Sequence, residues 1–391
     1  IAGQTAPGDG ICIRGAKVNL GGSSNFIIRH LRFRIGLDEN GKFIKGGSIG
    51  IENGSNFIID HCTFGWSSEE NMTIYDNKNT TVQWCLVHEG LFSSGHGKGA
   101  RGYAAQWGGE TATFHHNLLA NNVSRTPRFN GTKSNDKNVY FEYINNVNYN
   151  WGKPNSAYGA DVLIDGTYRC NFINNYYKPG PARPGNLPSL FVESYYKSAP
   201  NRISNWYMSG NFMEGSANKA LNKDNTKGMD TRGVPKSELL VNQPFKMSNS
   251  VKIESAKDAY KTVLAGAGAF PRDTVDRRII HEVRTGTASG KGTNPKYRHY
   301  DETPKDNPYH GVAKGIIDNP VLAFGDQAYP EYKTYNTIVD KDSDGMDDAW
   351  EKSNGLNPNN ASDRNKKTLS GYTCLEVYLN SLVGEKIELK F

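Results

Sequence analysis

"NFIIRHLRF" (residues 25–33) and "NFIIDHCTF" (56–64) agree at six of nine positions. The same outline returns in "TVQWCLV" (81–87), "TFHHNLL" (113–119), "EYINNVN" (142–148), "NFINNYY" (171–177) and "YMSGNFM" (207–213). Aligned, one column reads Leu31, Cys62, Cys85, Asn117, Asn146, Asn175, Asn211, with successive spacings of 31, 23, 32, 29, 29 and 36. Recurrence at this period means a solenoid or a propeller. A coil of three short strands with its turns needs roughly 20–25 residues at usual strand lengths. The shortest spacing meets that minimum and the others leave room for one inserted loop per coil, whereas a four-stranded blade needs a longer, more even period. Inward Asn residues at one position can stack and hydrogen-bond along the axis, as amide ladders do in stacked sheets. The expected fold is all-β: a parallel β-helix, right-handed by the crossover rule.

The repeat fades after about residue 215. "SAKDAYKTVLAGAGAF" (255–270) has helical spacing, with Ala256, Ala259, Tyr260, Val263 and Leu264 on one face. Residues 271–335, rich in Pro, Gly, Lys and Tyr, are expected to wrap the solenoid. "GYTCLEVYLNSLV" (371–383) reads as an amphipathic helix. The expected division is a β-helix over 1–250, a wrapping extension with a short helix over 251–335, and a small loop-and-helix unit over 336–391.

Composition agrees with many strands and turns: 42 Gly and 21 Tyr among 391 residues, and 36% hydrophobic residues. The net charge of +6 fits an acidic ligand. No basic run interleaved with aromatics points to nucleic acid, and no apolar run is long enough to span a membrane. Five widely spaced cysteines in apolar runs read as buried thiols rather than a disulfide framework.

"DKDSDGMDDAWE" (340–351) places Asp340, Asp342, Asp344, Gly345, Asp348 and Glu351 at positions 1, 3, 5, 6, 9 and 12 of the EF-hand calcium pattern, with the Met346 carbonyl at position 7. Clustered carboxylates repel unless a hard cation sits among them. The alternative is a solvated acidic turn. A bound Ca²⁺ here would be structural.

Three further segments come from consecutive coils. "GWSSEENMTIYDN" (65–77) carries Glu69 and Glu70, which could hold a metal, act as acid and base, or simply face opposite sides of a strand. "SSGHGKGARGY" (93–103) is a Gly-rich loop with His96, Lys98 and Arg101, without a P-loop pattern. "SRTPRFNG" (124–131) fixes Arg125 and Arg128 around a proline. Inserted loops of successive coils land on one side of a solenoid, so these should line one groove suited to an anionic polymer. In "FHHN" (114–117), adjacent histidines on a strand would face opposite sides and serve structure. The aromatics of "NYNWG" (148–152) and "NNYYKPGP" (174–181) either stack on sugar rings or pack between coils.

Together, "IAGQTAPGDGICI", "NFIIDHCTFGWSSEEN", "VQWCLV", "GHGKG", "WGG", "FHHNLLANNVSRTPRFNG" and the terminal "DSDGMDDAWE…GLNPNN…GYTCLEVYLN" resemble pectate lyases of polysaccharide lyase family 1, with the nearest likeness to Bacteroides-like bacterial members. The resemblance implies a monomeric, secreted, periplasmic or cell-surface β-helix enzyme that cleaves polygalacturonate or a branched pectin by β-elimination with Ca²⁺. It implies further coils ahead of residue 1. Arg125 matches the family's catalytic base and Arg128 an arginine that binds substrate carboxylate. Lys98 lies in the loop of a substrate-binding lysine that shares the charge neutralisation, beside His96 and Arg101, and Glu69 or Glu70 lies near a calcium-ligand glutamate. Two departures thin that calcium site: Gly47 or Ser48 stands where relatives carry an acid, and Thr73 where they carry an aspartate. By reference pKa alone Arg125 would be assigned to charge stabilisation, since arginine is effectively always protonated. A polygalacturonase-type hydrolase or a non-catalytic pectin-binding β-helix are the competing readings.

Overall fold

The computed structural model describes residues 1–130, 137–160, 166–194, 203–246, 251–298 and 302–391. Three parallel sheets run side by side along one axis. The first has eight strands: Ile11–Arg14, Leu31–Arg34, Thr63–Gly65, Leu86–His88, Leu118–Ala120, Val147–Tyr149, Tyr176–Lys178 and Phe212–Met213. The second also has eight: Val18–Asn19, Ile49–Glu52, Glu70–Tyr75, Tyr103–Trp107, Arg128–Phe129, Asn155–Gly159, Leu190–Ser194 and Met229–Asp230. The third has seven, from Ser24–Arg29 to Ile203–Ser209. Each strand pairs with its equivalent one coil on, which is the expected parallel β-helix.

Like side chains therefore stack along the interior. Phe26 lies on Phe57 at 4.8 Å and Phe33 on Phe64 at 4.9 Å, the separation of neighbouring strands. The chain leaves the third sheet for the first through a residue with positive φ in every coil: His30, His61, Trp84, His116, Asn145, Asn174 and Gly210. The left-handed conformation costs roughly 1–2 kcal/mol for a residue with a Cβ, least for Asn. Stacking offsets it where the residue is large, since His30, His61, Trp84 and His116 form one continuous pile of rings. His116 thus sits in the bend, not on the strand. Its Nδ1 meets that of His115 at 2.8 Å, so the two rings touch rather than face opposite sides as the sequence suggested.

The residue after each bend is the repeat column, and from Asn117 onward it is an amide ladder. Asn117 Nδ2 donates to Asn146 Oδ1 (3.0 Å), Asn146 to Asn175 (3.2 Å), and Asn175 to Asn211 (2.8 Å). Each acceptor oxygen also takes the backbone N–H of the preceding member. The ladder continues one step beyond the sequence alignment, to Asn225 at 3.0 Å. That step spans only fourteen residues, which hides it from a search at coil period.

The helix Ala256–Gly266 forms as expected, capped by Ser255, and buries Ala256, Ala259, Val263 and Leu264. Region 271–335 also contains a helix that sequence reading missed, Thr274–Thr285, with Asp273 as N-cap and Gly286 closing it at φ 74°. Its arginines mask the apolar stripe of Val275, Ile279, Ile280 and Val283. The last three pack with the first helix against Leu86, Leu118, Val147 and Tyr149 on the outer face of the first sheet. Arg278 reaches the buried Glu89 at 2.8 Å, and Trp66 Nε1 donates to the same carboxylate. Burial raises the Glu89 carboxyl, but Arg278 and His88 together outweigh it and hold the group well below the usual carboxylate range.

The helix Cys374–Ser381 opens with a Thr373–Glu376 capping box. It packs Cys374 and Tyr378 on Met346, and Asn380 accepts from Arg29 of the third sheet at 2.9 Å. All five cysteines are free thiols, four buried and Cys12 partly so. Among the described residues no helix is long and apolar enough to cross a membrane.

Candidate active site

The second sheet supplies a floor with one residue per coil in register: Asn19, Gly50, Thr73, Gln106, Arg128, Tyr158, Glu193 and Asp230. Side chains at alternate positions of a strand share a face, so this row repeats at the strand separation of about 4.8 Å. An open groove lies over its early coils. It is bordered by Lys17, Glu52, Glu69, Glu70, Lys98, Arg101, Arg125 and Arg128. The structure thus brings together Glu69, Glu70, Lys98, Arg101, Arg125 and Arg128, the groove residues predicted from the sequence, with His96 on Glu69.

The two glutamates are engaged separately. Glu69 Oε1 lies 3.1 Å from His96 Nε2, 3.7 Å from Arg101 and 3.9 Å from Lys98. Burial pushes His96 below its usual range, with Glu69 opposing, so Arg101 and Lys98 supply the positive charge there. Glu70 instead accepts from Arg125 Nη1. Among the described residues no group of three metal-ligating side chains gathers in this groove.

Arg125 sits at φ 56°, before a cis Thr126–Pro127 bond. Its guanidinium lies 4.2 Å over the Tyr103 ring, with Nε donating to the Tyr158 hydroxyl (3.0 Å) and Nη1 to Gln106 Oε1 (3.1 Å) as well as to Glu70. Burial drives its pKa down; the Tyr158 phenol opposes this and the Arg128 charge adds to it. Arg128 lies 5.6 Å over the Tyr158 ring. Tyr103, Gln106, Tyr158 and Lys17 were not singled out from the sequence. The repeat column tracks the turn into the first sheet, and extending it to the second sheet would have exposed Gln106 and Tyr158.

The acidic loop closes at the far end of the chain. Asp340 takes the backbone N–H of Asp344 and Gly345, and Asp344 that of Met346. Carboxylate oxygens of Asp340, Asp342 and Asp344 lie within 4.8 Å of one another, as do those of Asp344, Glu351 and Asp363. Both oxygens of Asp342 and of Glu351, Oδ2 of Asp344 and Oδ1 of Asp363 are buried with no hydrogen-bond donor. Burial, then the charges of Asp344, Asp342 and Asp363, raise Glu351 to about 7. Orphaned, mutually repelling carboxylates fit a hard cation. Asp348 points elsewhere, pairing with Lys341 Nζ at 3.1 Å, and the Met346 side chain is buried against Cys374, leaving only its carbonyl for an ion. Asp363 was missed because it lies beyond the loop pattern.

A parallel β-helix whose exposed sheet carries a groove of fixed arginines and lysines is the class that this geometry defines. A probable pectate lyase C of Neosartorya fischeri is 30% identical over 390 residues, covering 98% of this chain and 78% of that one. The protein of the same name from Aspergillus oryzae is 29% identical over 386 residues, again covering 98% and 78%. The chain belongs to the pectate lyase family. No family model matches it. Among solved structures, the thermostable pectate lyase PL 47 superposes with a TM-score of 0.45 at 16% identity, over 68% of this chain and 67% of that one.

Proposed function

We propose that the protein cleaves a galacturonate-containing pectic polymer by β-elimination. The observation that carries this reading is the Arg125 guanidinium. It is held rigidly in the groove by Tyr103, Gln106 and Tyr158, with its pKa lowered by burial, beside Arg128 and one coil from Lys98 and Arg101. In the reaction Arg125, in its neutral guanidine form, takes the proton α to the uronate carboxylate. The electron pair becomes a carbon–carbon double bond and the bond to the β oxygen breaks; that oxygen takes a proton from water and leaves as a free sugar end, with the other end unsaturated. The transition state gathers negative charge on the carboxylate, where preorganised cations act most strongly. Arg128 clamps that carboxylate, and Lys98, Arg101 and His96 flank it. The fall in the Arg125 pKa is in the direction a base needs. The assignment of Arg125 as base, rather than as a second clamp, rests on the family motif.

In the C-terminal unit, Asp340, Asp342, Asp344, Glu351, Asp363 and the Met346 carbonyl would hold a Ca²⁺ whose charge fixes the loop, remote from the groove. The Bacteroides-like placement rests on sequence motifs alone, and the similar pectate lyases C of Neosartorya and Aspergillus are fungal. A pectic polymer too large to enter a cell is the support for the expected secreted, periplasmic or cell-surface location.

Incubation with polygalacturonate tests the reading. Ultraviolet absorbance from unsaturated ends supports a lyase. New reducing ends without that absorbance mean a hydrolase, and binding without either means a carbohydrate-binding protein.

A further inference from the structure

The end of the groove floor where a catalytic divalent ion would be sought is built of glycine and neutral hydroxyl residues, and its geometry excludes an acid at Gly47. Gly46 has φ 115°, a conformation that side chains rarely adopt. A Cβ on Gly47 would lie 2.5 Å from the backbone oxygen of Glu70, so no side chain fits there without moving the strand. Ser48 is buried, and its hydroxyl bonds Gly65 O (3.0 Å) and Ser67 Oγ (2.8 Å). Thr73 is neutral. Of the three carboxylates on the groove, Glu69 and Glu70 already face Lys98, Arg101 and Arg125, and Glu52 accepts from the Tyr75 hydroxyl. A divalent ion would have to strip Glu69 and Glu70 from their partners, and among the described residues no three metal-ligating atoms of the groove come within 4.8 Å of one another. The residues do not fit a groove calcium.

What fills this trench is Lys17. Its Cδ lies 3.4 Å from where a Cβ of Gly46 would stand, and its Nζ lies 3.9 Å from that of Gly50. Its stem thus runs within van der Waals distance of both glycine positions. Lys17 is exposed, lines the groove with Glu69 and Arg125, and has no ion pair among the described residues. An unpaired ammonium at the edge of a cationic groove is a ready point charge for a carboxylate.

We propose that Lys17 supplies the cation at this end of the groove, binding a uronate carboxylate of the polymer, and that turnover needs no calcium in the groove. The proposal rests on the lyase reading for its turnover arm but not for its binding arm. Trigalacturonate is the probe for binding, in chelator, with melting curves recorded to follow the C-terminal loop. Lys17→Met should weaken binding by about tenfold or more, and Lys17→Arg by only about threefold, as expected for loss or retention of a charge-assisted contact. Unchanged affinity in Lys17→Met overturns the proposal. Calcium titration of the whole chain should show the same number of sites with and without trigalacturonate, after subtracting ion binding to the sugar. A site that appears only with the sugar also overturns it. On polygalacturonate, unsaturated product should form in chelator and be lost mainly through KM in Lys17→Met. If wild type releases no such product with calcium or without it, the lyase reading fails, and the trigalacturonate arm still decides whether Lys17 holds the carboxylate.

Discussion

Arg125 donates to the carboxylate of Glu70 two coils earlier, and to the Gln106 amide oxygen on the coil between. The pair fixes one edge of the guanidinium, while Tyr103 covers a face. Replacing Arg125 with lysine keeps a cation but loses the fork that meets three partners at once. Arg125→Lys should lower kcat on polygalacturonate by about 10²–10⁴-fold, the range for a positioned acid–base group, with little change in binding. Initial rates and trigalacturonate affinity measured together check this. A variant that loses binding but keeps kcat would remove Arg125 from the base role.

The acidic loop makes stability depend on pH in an unusual direction. Glu351 rises in the folded protein from an ordinary 4.5 to about 7, burial being the main cause. A raised carboxyl contributes stability that is full below pH 4.5 and is lost as pH climbs through 7. Without divalent ions, the C-terminal unit should therefore melt lower at pH 8 than at pH 5. Added Ca²⁺ should raise melting at pH 8 far more than at pH 5, where it competes with protons. Scanning calorimetry in chelator and in calcium at both values checks the sign.

Asp363 should matter as much as the acids inside the loop pattern. Asp363→Asn removes a charge facing Glu351 and Asp344, so calcium affinity should fall by about tenfold or more while the apo unit becomes slightly more stable. Calorimetric titration of the purified chain measures the first effect and thermal melting the second.

The amide ladder gives a stability prediction. Asn146 accepts from Asn117 through both backbone and side chain, and donates to Asn175. Asn146→Leu leaves the buried N–H of Asn117 without its acceptor and should cost about 1–3 kcal/mol for each unsatisfied group. Urea denaturation of the variant against wild type gives the figure.

Arg278→Met should be more damaging than its place on an added helix implies. It leaves Glu89 buried beside Trp66 and His88 with its main counter-charge gone, a loss of about 3–5 kcal/mol for a broken buried pair. The double variant Arg278→Met with Glu89→Gln should recover part of this, which a double-mutant cycle measures.

The architecture was legible because strand pairing at fixed register copies one pattern into every coil. "NFII" and the Asn column are that pattern. What escaped had a different period or a mixed character. Asn225 follows Asn211 too closely for a coil, and the helix Thr274–Thr285 hides its apolar face among arginines. At the site, loops inserted in consecutive coils put the charged residues on one side, and that much followed from the repeat. Which carboxylate pairs with which cation did not, because Glu69 and Glu70 are sequence neighbours whose partners lie one and two coils away.

The floor row of Asn19, Gly50, Thr73, Gln106, Arg128, Tyr158, Glu193 and Asp230 has a consequence for how such a protein changes. The positions recur once per coil, on strands whose spacing the core sets. They are not all independent: Gln106 and Tyr158 both bond Arg125, and Arg128 lies over the Tyr158 ring. A change at one of these shifts the others, so that stretch of the floor varies as a block while the scaffold that sets the spacing stays unchanged.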